Sequence, residues 1–216
     1  VIYTSGSTGI PKGVAIEHKS LLNLCYWHKK EYIFSSNFRS TLYSGISFDA
    51  SVWEIFPYLF CGGTLYPISD NNVRYDITEL QCFIINHKIT HTYLPTQICV
   101  EFINSNIDLD ETTILTGGEA LVIPKTTKLK IYNNYGPTEN TVVTTNYKTT
   151  ENSMGMINIG KPISNTSVYI VNKKGKLMPF GLYGELWIGG KGLARGYLNN
   201  EDMTKEKFVA NPFEKN

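Results

Sequence analysis

The stretch Tyr3-Thr4-Ser5-Gly6-Ser7-Thr8-Gly9-Ile10-Pro11-Lys12-Gly13 gathers three glycines, four hydroxyls and one lysine directly after a strand-like run. Such a loop suits an anion. Gly6, Gly9 and Gly13 let main-chain N–H groups approach a phosphate closely, Thr4, Ser5, Ser7 and Thr8 add donors, and Lys12 brings a compact positive charge. An ordinary flexible Gly/Ser loop has the same composition, so both readings stand at this point. A P-loop is excluded, because that motif needs glycine, four residues and then Gly-Lys-Ser/Thr, whereas Lys12 follows Pro11 and precedes Gly13.

A second candidate is Phe48-Asp49-Ala50-Ser51-Val52-Trp53-Glu54, where Asp49 and Trp53 stand four apart and share one face of a helix beginning near Ser51. A carboxylate beside an aromatic wall suits an ammonium group; a plain capping role for Asp49 or Ser51 is the alternative. The run Asn133-Asn134-Tyr135-Gly136-Pro137-Thr138-Glu139, taken alone, is a Gly-Pro turn with Thr138 and Glu139 solvated. His18, His28, His87 and His91 form no i, i+4 pair and no metal-ligand spacing, which makes them surface or packed residues rather than ligands.

These residues need a scaffold that brings distant segments together. From residue 1 to about 145, β-rich runs alternate with helical stretches, the pattern of a largely parallel sheet covered by helices. Lys19 to Tyr32, Ser51 to Phe60 and Asp76 to His87 read as helices. The strands between them are 40–43, 64–66, 91–94 and 113–115, bounded by Gly, Pro or Asn. After about residue 158 the rhythm changes to short antiparallel strands, 167–171 and 185–188, joined by Gly-containing turns. The expected fold class is therefore α/β, followed by a smaller antiparallel β portion, with a division at 1–157 and 158–216. The opening Val1-Ile2-Tyr3-Thr4 reads as a strand already under way, the expectation for a piece of a longer chain.

Taken together and in order, the first loop, the Asp49 run, Thr116-Gly117-Gly118-Glu119-Ala120, the Tyr135-Gly136-Pro137-Thr138-Glu139 run and the Gly184 to Asn199 segment resemble the adenylate-forming (AMP-binding) superfamily. Within it they resemble the amino-acid adenylation domains of nonribosomal peptide synthetases, in the large N-terminal core. The resemblance implies an ATP site made by Thr4, Ser5, Gly6, Ser7, Thr8, Gly9, Lys12, Gly118, Glu119, Ala120, Asn134, Tyr135, Gly136 and Thr138. By the same resemblance Tyr135 stacks on adenine, Thr138 hydrogen-bonds the α-phosphate, Thr138 and Lys12 are the catalytic pair, and Glu139 holds Mg²⁺. Asp49 grips the substrate α-amino group, and Asp49, Ala50, Trp53, Tyr93, Leu115, Gly117, Asn134, Val142 and Val143 form the amino-acid pocket. Asp49 is the one charge in that set, so the remaining wall suits a medium aliphatic side chain, leucine first.

The resemblance also implies a peptidyl carrier domain with its phosphopantetheine thiol and neighbouring synthetase modules as partners. A ribose-binding Asp, a hinge and a lobe with a catalytic Lys would follow beyond Asn216, so these 216 residues alone are expected to turn over poorly. The segment 184–199 is assigned structural work: a strand, a glycine-rich turn and a packing aromatic. The 15 positions from Gly118 to Asn133 are short for the helix and strand that the family places there.

Bulk composition bounds the alternatives. With 20 Lys and Arg against 19 Asp and Glu, the net charge of +1 draws the chain toward neither nucleic acid nor an anionic membrane. Cys25, Cys61, Cys82 and Cys99 match neither a zinc spacing nor a disulfide framework, which points to a reducing, cytoplasmic setting. No apolar run approaches the roughly 18 residues that span a bilayer. An acyl- or aryl-CoA ligase of the same superfamily and a truncated noncatalytic nucleotide-binding domain remain as rivals, the first separable by whether Asp49 matters.

Overall fold

The computed structural model describes residues 1–5, 11–32, 37–106, 109 and 111–213. Gly6, Ser7, Thr8 and Gly9 of the proposed phosphate loop lie outside the described residues. In chain order the elements begin with β1 (Ile2–Thr4), β2 (Lys12–Ala15), α1 (His18–Glu31), β3 (Arg39–Leu42), α2 (Asp49–Phe60), β4 (Thr64–Pro67), α3 (Asn71–Tyr75) and α4 (Ile77–Asn86). Next come β5 (His91–Pro95), α5 (Thr96–Asn104), β6 (Thr113–Gly117), β7 (Val122–Ile123), β8 (Lys130–Tyr135) and a 3₁₀ turn at Thr138–Asn140. The chain ends with β9 (Thr145–Lys148), β10 (Gly155–Met156), β11 (Lys161–Pro162), β12 (Thr166–Val171), β13 (Glu185–Gly190), β14 (Gly196–Tyr197) and α6 (Glu201–Lys207).

The main sheet has the order β11-β9-β8-β6-β5-β3-β4. Its five strands from β8 to β4 run parallel, and β9 and β11 add an antiparallel edge. The α/β expectation holds, with β12 and β13 as the antiparallel pair further along. Strand β6 shows why its neighbours are parallel: Ile114, Leu115 and Thr116 are all buried, as a strand covered on both faces requires. Leu80, Ile84, Leu94, Phe102, Ile114 and Ile131 form the centre of the larger core beside it.

Local chemistry sets the element ends. Asp76 caps α4 by accepting from the N–H groups of Thr78 and Glu79 at 2.8 and 3.0 Å. The helix closes with Lys88 left-handed at φ 50°, Lys88 N–H donating to Ile85 and Ile89 N–H to Ile84. This two-bond closure turns the chain straight into β5. Helix α2 starts two residues earlier than the sequence suggests, at Asp49, with Phe48 as its cap and no side-chain capping bond. Ser51 donates instead to the Phe48 carbonyl at 2.7 Å. Neither Asp49 nor Ser51 therefore has the capping role. Between Gly118 and Asn133 the short spacing holds only β7 and the start of β8, anchored by buried Leu121, Ile123 and Leu129.

Candidate functional site

The strand order reverses between β3 and β5, the kind of switch point at which parallel sheets open a crevice beyond the carboxyl ends of their strands. Asp49 sits there at the start of α2, in the first helical turn, where the helix dipole favours a negative charge. The loop before it is fixed by Glu54, which is buried and accepts from the N–H groups of Tyr43 and Ser44 at 2.7 and 2.8 Å. Burial pushes Glu54 up to about 7 against the pull of those two donors.

Two contacts join segments far apart in the chain. Thr138 Oγ1 donates to Asp49 Oδ2 at 2.5 Å, across 89 positions. Lys12 Nζ lies 3.3 Å from Glu139 Oε1, across 127 positions. Lys12 on β2, the helix-borne carboxylate and the Thr138-Glu139 turn thus meet in one crevice. A cavity of about 200 Å³ opens on Asp49, Val52, Phe56, Thr138, Thr141 and Val142. A larger cleft of about 450 Å³, lined by Phe38, Arg39, Thr64, Lys88 and Thr90, lies at the amino ends of β3 and β4. No proposed site residue reaches that second cleft, so size is no guide to the site here.

Behind the crevice, Trp53, Leu115 and Val143 are buried in one apolar cluster, with Tyr93 and Val142 packed against it. The rings of Trp53 and Tyr93 stand edge to face, 6.0 Å apart. Burial first, then the charges of Glu54 and Asp49, hold the Tyr93 phenol above its ordinary range, so it acts as a donor, to the Gly117 carbonyl at 3.3 Å. Asn134 pairs with Gly117 across β8 and β6, and Ala50 follows Asp49, half-buried. The structure therefore brings together all nine residues proposed for the pocket around the carboxyl ends of β5, β6 and β8 and the start of α2.

The side that carries the residues expected to meet a nucleotide is more open. Tyr135 is exposed at the end of β8, and Gly118, Glu119 and Ala120 are exposed beyond β6, tied back by the Thr96 hydroxyl, which donates to the carbonyls of Gly117 and Glu119. Thr4, on β1, has a buried hydroxyl with no partner among the described residues, a donor left for a ligand or for the loop beside it. Gly136 is glycine for a steric reason: a Cβ there would lie 2.3 Å from the Val142 carbonyl oxygen and 2.7 Å from the Thr144 nitrogen. The turn that presses on it is strained, because Thr141 and Val142 both have positive φ, 53° and 70°, and Val143 N–H closes back on Thr141 at 2.9 Å.

Sequence reasoning missed Tyr197. Its segment was assigned packing alone, and it does strap the site: Leu193, Ala194, Arg195 and Leu198 bond to Ser20, Glu139, Ala15 and Gly13. But the Tyr197 hydroxyl also donates to Glu139 Oε1 at 2.7 Å, with Lys12 Nζ 4.7 Å from the ring centre. Burial disfavours the Glu139 charge, and the bonds from Tyr197 and Lys12 outweigh it, leaving the carboxyl below its ordinary range. A buried tyrosine needs a partner for its hydroxyl, and that rule was the available signal.

A helix-flanked parallel sheet with a charged crevice at its switch point is the architecture of nucleotide-dependent α/β enzymes. The chain belongs to the AMP-binding enzyme family, whose model matches residues 1–198. It is 50% identical over 214 residues to bacitracin synthase 1 of Bacillus licheniformis, covering 99% of this chain and 4% of that protein. It is 44% identical over 216 residues to surfactin synthase subunit 2 of Bacillus subtilis (strain 168), covering 99% of this chain and 6% of that protein. Among solved structures it superposes on holo-AB3403, a four-domain nonribosomal peptide synthetase bound to AMP and glycine, with TM-score 0.86 and 29% identity. That match covers 98% of this chain and 16% of the other. The Vibrio cholerae adenylation domain AlmE, in complex with glycyl-adenosine-5′-phosphate, matches with TM-score 0.85 and 28% identity, over 98% of this chain and 43% of that one. The resemblance to peptide-synthetase adenylation domains thus extends across essentially the whole chain, which spans a small part of these synthases.

Proposed function

We propose that this chain is the ATP- and amino-acid-binding part of an adenylation domain that joins an amino acid to AMP. One carboxylate oxygen of the amino acid attacks the α-phosphorus of ATP, the bond to the bridging oxygen breaks, and pyrophosphate leaves with that electron pair. The chain's own contribution is alignment and stabilisation of charge on the phosphoryl oxygens, by Thr138, Lys12 and the amides of the first loop. Asp49 holds the ammonium group, Tyr135 offers its exposed ring to adenine, and no protein nucleophile is needed. The observation that carries this reading is the Thr138 to Asp49 hydrogen bond, which joins the group proposed for phosphate to the group proposed for the amine.

Magnesium fits one carboxylate. Among the described residues no three His, Cys, Asp or Glu side chains gather as a metal cage, and Mg²⁺ is commonly held by one or two carboxylates with substrate phosphates and water. Glu139 would hold it, and when bound it supplies neutralisation of phosphoryl-oxygen charge. Lys12, released from Glu139, would then face the phosphates.

Leucine is the proposed substrate, with other medium aliphatic residues next. The supporting feature is the state of Asn134, the second polar group of the pocket after Tyr93: its amide oxygen accepts from Asn146 at 2.9 Å and its amide nitrogen donates to Tyr132 at 3.0 Å. An apolar substrate side chain strands nothing there. The acyl group would pass to the thiol of a peptidyl carrier domain, in the cytoplasm, with 1–157 as the binding core and 158–216 as its β-rich continuation. ATP–pyrophosphate exchange across the amino acids, in the complete enzyme, tests the reading: aliphatic substrates should dominate, and dominance of an acidic or basic amino acid would reject the pocket.

A further inference from the structure

His28 in the last turn of α1 and Tyr32, the residue that caps its carboxyl end, stand four apart, and no motif explains either. Both are buried, and their rings meet edge to face at 4.6 Å. Each grips a different wall of the pocket. Trp53 Nε1 donates to His28 Nδ1 at 2.8 Å. Tyr32 shares its hydroxyl with the amide pair of Asn134 and Asn146: Asn146 Nδ2 donates to the Tyr32 oxygen at 3.0 Å, and the Tyr32 hydroxyl donates to Asn134 Oδ1 at 3.4 Å.

Trp53 can only donate, so the bond defines His28 as an acceptor at Nδ1, which places the ring proton of its neutral form on Nε2. The setting favours that neutral form: Trp27, Tyr32, Trp53 and Tyr58 surround the imidazole, and burial holds its basicity well below the ordinary range. An indole is asymmetric, and flipping it would bury its N–H without a partner, which is unfavourable. The acceptor behind it therefore selects one orientation of the Trp53 ring. The Asn134 amide is fixed in the same manner from the other side.

We propose that His28 and Tyr32 are specificity-determining positioning residues, which shape the amino-acid pocket from behind by holding the Trp53 indole and the Asn134 amide. This inference rests on the pocket reading given above. It predicts that selectivity depends on two side chains that do not line the cavity beside Asp49, and that the acceptor at position 28 matters more than its ring.

The test is ATP–pyrophosphate exchange in the complete enzyme, with leucine, isoleucine, valine and alanine compared for each variant. His28→Leu should change the ratio of kcat/KM between the preferred amino acid and its nearest competitor about tenfold. The change should appear in the amino-acid KM, with the KM for ATP unmoved. His28→Asn, which keeps an acceptor near the indole, should restore the ranking, and Tyr32→Phe should shift it in a smaller measure. Trp53→Phe removes the donor but also alters the pocket wall, so the bond is read in its background: adding His28→Ala to Trp53→Phe should move the ranking no further than Trp53→Phe alone.

An unchanged ranking in Trp53→Phe, or a loss in folded His28→Leu that is equal for every amino acid and for ATP, would overturn the proposal. Asp49→Ala separates the two levels of the argument. If it leaves exchange intact, the pocket itself is misplaced; if it abolishes exchange while His28→Leu keeps the wild-type ranking, only the role of α1 fails.

Discussion

The two halves of the crevice are built on opposite plans. On the amino-acid side, Trp53, Leu115 and Val143 are buried, the Trp53 indole is bonded to His28, and the polar groups of Tyr32, Asn134 and Asn146 are bonded to one another. On the nucleotide side, Tyr135, Gly118 and Glu119 are exposed, and the charges of Lys12 and Glu139 face each other across 3.3 Å. The first half is a shape that needs no ligand to be complete. The second pairs its charges with each other, a pairing that a triphosphate and a cation would replace under the proposed function. Under the proposed function, discrimination between side chains would rest on packing, and the force applied to the reacting phosphate on electrostatics.

Substitutions that strike one half and spare the other sharpen this contrast. The largest effect is expected from Asp49→Ala, which leaves the substrate ammonium unpaired: kcat/KM for the amino acid should fall about 100-fold or more, corresponding to roughly 3 kcal/mol. Calorimetric affinity for ATP should stay within a few-fold of wild type, and an equal loss on both ligands would erase the division. Gly136→Ala should harm both halves at once, because its Cβ has no room beside the Val142 and Thr144 backbone. Denaturant unfolding should show a loss of about 2 kcal/mol.

Tyr197→Phe comes next and belongs to the nucleotide side alone. Without the hydroxyl that donates to Glu139, affinity for magnesium–ATP should drop about tenfold, near 1.5 kcal/mol for a charge-assisted bond, while the ranking of amino acids stays as it was. A last prediction concerns acid, at His91 on the amino end of β5. Burial holds His91 down to about 4 from an ordinary 6.5, so between those values the unfolded chain binds a proton that the folded chain refuses. Stability is thus present above about 6.5 and declines as the pH falls toward 4, by up to about 1.4 kcal/mol per unit. Glu54, raised to about 7 from 4.5, gives the opposite slope between those values, so the comparison to make is wild type against His91→Phe. The variant should lose the acid-side decline that belongs to His91; identical pH profiles would show that the imidazole does not sense the fold.

Much of this was legible in the residues. The parallel sheet followed from alternating β-rich and helical runs, and the Asp49-Trp53 pair from its spacing. Local signals failed where the cause lies elsewhere in the chain. Helix α5 went unread because Pro95 precedes it and no side chain caps it, and α2 was started at Ser51 because a serine resembles a cap. The Tyr197–Glu139 bond spans 58 positions and the Tyr32–Asn134 bond 102, and neither leaves a periodic trace. The last segment looks structural because its glycines and strand are structural; the hydroxyl that reaches Glu139 is hidden among them.

The left-handed backbone at Val142 has an evolutionary corollary. A branched residue at φ 70° bears a penalty of order 1–3 kcal/mol, and this residue also lines the cavity beside Asp49. Replacing it with glycine would relieve the chain while widening the chamber, whereas any other branched residue would keep the penalty. If an amino acid binds there as proposed, a change from valine to glycine would admit a bulkier side chain, with backbone relief partly offsetting the contacts that are lost.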